Sequence, residues 1–138
     1  MKGGIRTYLL ANAAIAALIA TRCYSSFADV STVKPYIVLS LINRQIQNLI
    51  NSSLDIYEEL WQVDVIADTD MAAEVISELI VTRLNIADRV EMGSYTVYNC
   101  SLDSIDEDVE ESIGGGIARD ARKILTFRFL RDRTATPE

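Results

Sequence analysis

Histidine is absent from all 138 residues. Without an imidazole there is no Ser-His-Asp triad, no Cys-His nucleophile pair, no His-ligated zinc or iron site and no histidine proton shuttle. Cysteine is almost as scarce: Cys23 and Cys100 stand 77 residues apart. Two are too few for a disulfide scaffold or a four-thiolate metal site, and their spacing matches no CxxC redox motif. They read as free thiols, buried or half-buried. With two prolines, 49% apolar and 24% charged residues, disorder and collagen-like repeats are excluded. Bases are outnumbered 13 to 20, for a net charge of −7. General duplex binding is therefore disfavoured, because neutralising phosphates needs a surplus of Lys and Arg. What is present is one globular domain over residues 1–138, which buries roughly two-thirds of its unfolded surface.

Lys2 and Arg6 precede an apolar stretch from Tyr8 to Ala20, a pattern that imitates a secretory leader. Asn12 interrupts the stretch and Arg22 closes it, and roughly a dozen apolar residues cannot span a bilayer. The expectation is a pair of core helices and no membrane contact. Gly4 to Ala11 presents Ile5, Tyr8 and Leu9, and Asn12 caps a second short turn carrying Ile15, Leu18 and Ile19. An exported protein with a cleaved leader is the rival reading.

Ser25 to Lys34 reads as a loop, and Pro35 opens a first strand through Ile42, since proline is tolerated at a strand's first residue. Asn43 to Asp55, rich in Asn, Gln and Ser, reads as a loop or short arm. Ile56 to Ala67 alternates: Trp61, Val63, Val65 and Ala67 face one way, Gln62 and Asp64 the other, as in a half-buried second strand. Thr69 or Asp70 caps a helix whose stripe of Ala72, Val75, Ile76, Leu79, Ile80 and Leu84 is expected on a sheet. A third strand covers Tyr95 to Leu102. A fourth covers Lys123 to Arg131, where Leu125, Phe127 and Phe129 alternate with Thr126, Arg128 and Leu130. The expected fold class is α+β: a two-layer sandwich of a mostly antiparallel four-stranded sheet with helices packed on one face.

Between the last two strands, Asp103, Asp106, Glu107, Asp108, Glu110 and Glu111 form an acidic run without a base, followed by Gly114 to Gly116. Six of the 13 bases then fall between Arg119 and Arg133. This segment reads either as a solvated loop with glycine hinges or as an arm that meets a neighbouring subunit. In the second case Arg119, Arg122, Lys123 and Arg128 supply the opposite charge, which favours orientation in assembly over raw affinity.

No constellation carries catalysis or a cofactor. Glu58 and Glu59 are adjacent on a strand and so point to opposite faces. Asp64, Asp68 and Asp70 lack calcium-loop spacing and glycine. The triple glycine is followed by Ile-Ala-Arg and is no P-loop. Tyr95, Tyr98, Phe127 and Phe129 read as core rather than a base-stacking platform.

The order Thr7-Tyr8-Leu9-Leu10-Ala11-Asn12, Ala14 to Ile19, Arg22-Cys23-Tyr24, then Lys34-Pro35-Tyr36-Ile37-Val38 resembles the opening of the tail terminator or tail completion proteins of long-tailed bacteriophages. Trp61 to Val65 leading into Met71 to Leu84 is similar to that family's strand and helix. The acidic, glycine-bearing insertion departs from the pattern. The resemblance implies a non-enzymatic structural subunit of the virion tail, assembled in the host cytoplasm. It implies a ring, commonly of six, that caps the head-proximal end of the tail tube and stops its growth. Its partners would be copies of itself, the tube protein and a head-side connector or stopper, with DNA passing through unbound. A small regulatory or ligand-binding α+β domain that dimerises through its sheet is the alternative.

Overall fold

The computed structural model describes residues 2–25, 33–48, 55–93, 95–111 and 119–132. Two short helices open the chain, α1 (Lys2–Leu10) and α2 (Ala13–Ile19), and α3 (Asp70–Arg83) follows later. The strands are β1 (Cys23–Ser25), β2 (Tyr36–Asn48), β3 (Asp55–Ala67), β4 (Val90–Met92), β5 (Tyr95–Glu111) and β6 (Arg119–Asp132). Asn12 caps α2 as its side chain predicts, accepting from the Ile15 N–H at 3.1 Å. Of the two candidate caps for α3 it is Thr69 that serves, accepting from Ala72 N–H at 3.1 Å, while Asp70 is the acidic first-turn residue.

The expected four-stranded two-layer sandwich is overturned. Among the described residues, one mixed sheet holds six strands in the order β1-β2-β3-β6-β5-β4, curled into a half-barrel. β1 lies parallel to β2, and the other pairings are antiparallel. β1 and β4 have three residues each, too short to show a period in the sequence. The curl has a local cause. β2 breaks register between Leu41 and Asn43, and β5 does so twice, between Val97 and Asn99 and between Leu102 and Ser104. Each extra residue bends its strand and sharpens the right-handed twist.

The inner face carries the expected residues of β3 and β6: Trp61, Val63, Val65, Leu125, Phe127 and Phe129 are all nearly inaccessible. They pack in one core with Ile5 and Leu9 of α1, Ile15 and Ile19 of α2, and Ile76 and Ile80 of α3. β3 is more deeply buried than its alternation suggests, since Asp64 and Ile66 on its other face are buried too. The buried face of α3 is also rotated from the expected stripe. Ala73, Ile76, Ser77 and Ile80 are buried whereas Val75 is 48% exposed. Ser77 can turn inward because its hydroxyl donates to Ala73 C=O at 2.7 Å, which satisfies the polar group within the helix.

Gly4 fixes the seating of α1. A Cβ at this position would lie 2.6 Å from the Met92 carbonyl oxygen of β4. Alanine is the better helix former by roughly 1 kcal/mol, yet backbone cannot yield as a flexible side chain can. Gly4→Ala is expected to destabilise by about 1 to 3 kcal/mol, and a thermal melt at or above wild type would show that α1 shifts freely on β4.

Both thiols are buried as expected. Burial pushes Cys23 up to about 11 despite nearby Arg6, and raises Cys100 further still. Neither is a thiolate near neutral pH, so neither is a nucleophile.

Candidate assembly interface

The two long hairpins extend to opposite ends of the sheet. β2 and β3 pair from Tyr36 with Ile66 out to Asn48 with Asp55. β5 and β6 pair out to Glu111 with Arg119 at the other end. Asn43 to Asp55 and Asp103 to Glu111, read as loops or arms, are thus strand wherever they are described. The rest of the first segment, and Gly114 to Gly116, lie outside the described residues. Asn, Gln and acidic residues have poor strand propensity, but cross-strand partners override so weak a preference.

Each hairpin is tied down by buried ions that the linear pattern did not single out. Glu59, fully buried, accepts from Arg44 Nε at 3.1 Å and from the Arg131 guanidinium. Arg131 is itself buried, with its guanidinium 4.7 Å from the Tyr57 ring centre and 4.4 Å from that of Tyr95. At the other hairpin, buried Lys123 donates to Glu107 and lies 3.7 Å from Asp70 at the start of α3. The Glu107 hydrogen bond, opposed by desolvation and helped by Asp70, holds the Lys123 ammonium above the ordinary lysine range. A signal for both clusters exists in the sequence. Glu59 continues the inward stripe of Trp61 and Val63, and Lys123 and Arg131 lie on the stripe of Leu125, Phe127 and Phe129.

The residues proposed from sequence as an interface fall on this second hairpin. Asp103 is the extra residue at a β5 bulge, exposed, 3.5 Å from Arg128. Arg128, half-exposed, also reaches Glu58, which confirms that Glu58 and Glu59 serve opposite faces. Asp106 and Glu107 are exposed. Asp108 stands in register with Arg122, Glu110 with Asp120 and Glu111 with Arg119. Arg122 pairs with Asp64, which also accepts from Gln62 at 2.7 Å. Asp103 and Glu107 of β5 thus meet bases of their own hairpin partner, Arg128 and Lys123. Among the described residues, Asp, Glu and Cys form no cluster able to hold a metal ion, and no helix is long and apolar enough to cross a membrane.

Two stretches of sheet edge stand open. β1 covers β2 only at Ile37 to Leu39, and among the described residues no strand pairs the outer side of β2 from Ser40 to Asn48. β4 covers β5 only from Tyr95 to Val97, and a single bridge adds Ile86 with Cys100. The outer side of β5 from Ser101 to Glu111 is likewise unpaired among the described residues. These stretches lie at diagonally opposite corners of the sheet. Leu41 and Ile42 are exposed on the first, Ile105 on the second. The first has one base, Arg44, and no acid; the second has six acids and no base. Long open edges with apolar side chains are templates for pairing with another chain.

The family model described as Tail completion protein gp17 matches residues 3–115. No curated protein matches the chain. Among solved structures, a chain of the "Virion of native gene transfer agent (GTA) particle" is similar, with a TM-score of 0.68 and 17% identity over 96% of this chain and 94% of that one. At that identity the likeness is one of fold.

Proposed function

Because this chain belongs to the tail completion protein gp17 family and is a structural protein of the phage virion tail, we propose that it closes into a ring of identical subunits, most simply six. The ring caps the head-proximal end of the tail tube, stops the tube's growth and joins it to the head-side connector. The observation that carries this reading is the pair of open edges at opposite corners of the sheet, one acid-free and one strongly acidic. A closed ring requires a heterologous contact, in which one surface of a subunit meets a different surface of the next. The β2 edge of one copy and the β5 edge of its neighbour, with Asp103, Asp106, Glu107 and the hairpin bases beside them, meet that requirement. Such a role uses shape, edges and charge, and no catalytic group or cofactor. The net charge of −7 fits a channel that lets DNA pass unbound, because acidic walls repel phosphate. A lumen lined by a surplus of Lys and Arg would contradict this.

Ile42→Asp tests the contact, since it sets a carboxylate against the neighbour's acids at a position already half in water. Light scattering with and without tube protein should show the wild-type ring reduced to monomers at equal concentration, while thermal melting stays within about 0.5 kcal/mol of wild type. A ring formed as readily by the variant would eliminate the β2 edge as the contact. A wild-type dimer under every condition would favour the alternative, a small domain pairing through its sheet.

A further inference from the structure

Away from the sheet edges, the outer surface of α3 bears two parallel ridges. Asp70, Glu74 and Glu78 recur at steps of four and are all exposed. Beside them run Met71, Val75 and Leu79, with Met71 77% and Val75 48% exposed. On one side of the apolar ridge lies a groove of about 460 Å³ between α3 and α2, lined by Ala17, Leu18, Pro35, Met71, Ala72 and Val75. On its other side lies a shallower hollow of about 390 Å³ with Glu74, Glu78 and Thr82 on its walls. Ala17 of α2 and Ala72 of α3 are the small side chains of the groove's lining, and the ridges, from Asp70 to Leu79, run about 14 Å along the 14-residue helix.

Resting on the tail-ring reading, we propose that this groove receives an amphipathic helix from a neighbouring virion protein, apolar on one face and flanked by Lys or Arg. Parallel apolar and acidic ridges match a partner helix whose apolar residues recur at three and four and whose bases lie alongside, the helix-in-groove mode. Charge excludes the other occupants. Groove-to-groove contact between two copies would oppose Glu74 and Glu78 to themselves, and this chain's acidic β5 edge would be repelled in the same way. The acid-free β2 edge is consumed by the ring contact. Phosphate of nucleic acid or an anionic lipid surface meets three carboxylates here and no exposed base of α3. Lys123, beside Asp70, is buried and held by Glu107 and Asp70, while at the α2 rim Arg22 donates to the Pro35 and Leu18 carbonyls and Lys34 pairs with Asp68.

The test uses two synthetic helical peptides of about 15 residues, identical in a leucine stripe and differing only in flanking lysines or glutamates. Each is titrated by fluorescence anisotropy against the full chain. The lysine peptide should bind at least about tenfold tighter, a gap of about 1.4 kcal/mol that closes in high salt and reverses in the Glu74→Lys, Glu78→Lys double variant. Val75→Asp, and independently Met71→Ser, should weaken the lysine peptide severalfold or more. Equal binding of both peptides, binding of neither, or binding untouched by the groove variants would overturn the proposal. Light scattering separates the two readings. Val75→Asp should still form rings. Rings lost in that variant would make the groove a self-contact and defeat this inference alone, whereas a wild type that never forms rings defeats the ring and leaves the peptide preference standing.

Discussion

Glu59→Ala is expected to cost about 3 to 5 kcal/mol, because it leaves the Arg131 guanidinium buried without its counter-charge. Domains of this size are stable by only about 5 to 15 kcal/mol, so the melting temperature should fall by roughly 10 to 20 °C. The penalty comes from the stranded partner, and the pair itself need not be strongly stabilising, since desolvating two ions offsets much of their attraction. That distinction is measurable. Replacing both members, Glu59→Met with Arg131→Met, removes the orphan charge and should recover most of the loss, although Arg131 also surrenders its contacts with Tyr57 and Tyr95. If the double variant were as unstable as the sum of its single changes, the two residues would not be coupled and the cluster would not be what anchors the β2–β3 hairpin.

Phe127→Ala is expected to be equally severe, about 3 to 5 kcal/mol, because its ring is fully inaccessible and sits opposite Trp61 on β3 and Leu102 on β5. Urea midpoints should fall with no change in slope, the mark of lost stability without a change in the surface exposed on unfolding. Leu79→Ala, which the sequence periodicity ranks beside it, should cost distinctly less. Leu79 is only partly buried and packs against the rim of the core. Equal losses at the two positions would mean that the buried face of α3 has been misplaced.

The elements with strong periods were legible without coordinates. Trp61, Val63 and Val65 alternate because β3 is central and one face is packed; Leu125, Phe127 and Phe129 do the same on β6. Asn12 and Thr69 advertise their helices because a side-chain oxygen that can satisfy an orphan N–H is a local device. What misled was composition read as conformation. Asp103 to Glu111 looks like solvent-exposed loop because six of its nine residues are acidic, yet most of the run finds ladder partners on β6. Val75 lies on a helical stripe with Ile76 and Leu79, and only the rotation of α3 decides which side of the stripe is covered.

By itself the sequence determined the negative chemistry and the local elements: no imidazole, no thiol cluster, a core stripe on β3 and on β6, and the capped helices. Those follow from residue identity and from periods a few residues long. Tertiary structure alone decided the number of strands, the curl, the buried Arg44–Glu59–Arg131 cluster and the position of the open edges. Each depends on which distant segments pair and where a bulge shifts their register: the inward stripes place Glu59 and Arg131 on a buried face, but neither segment read alone says that the two meet.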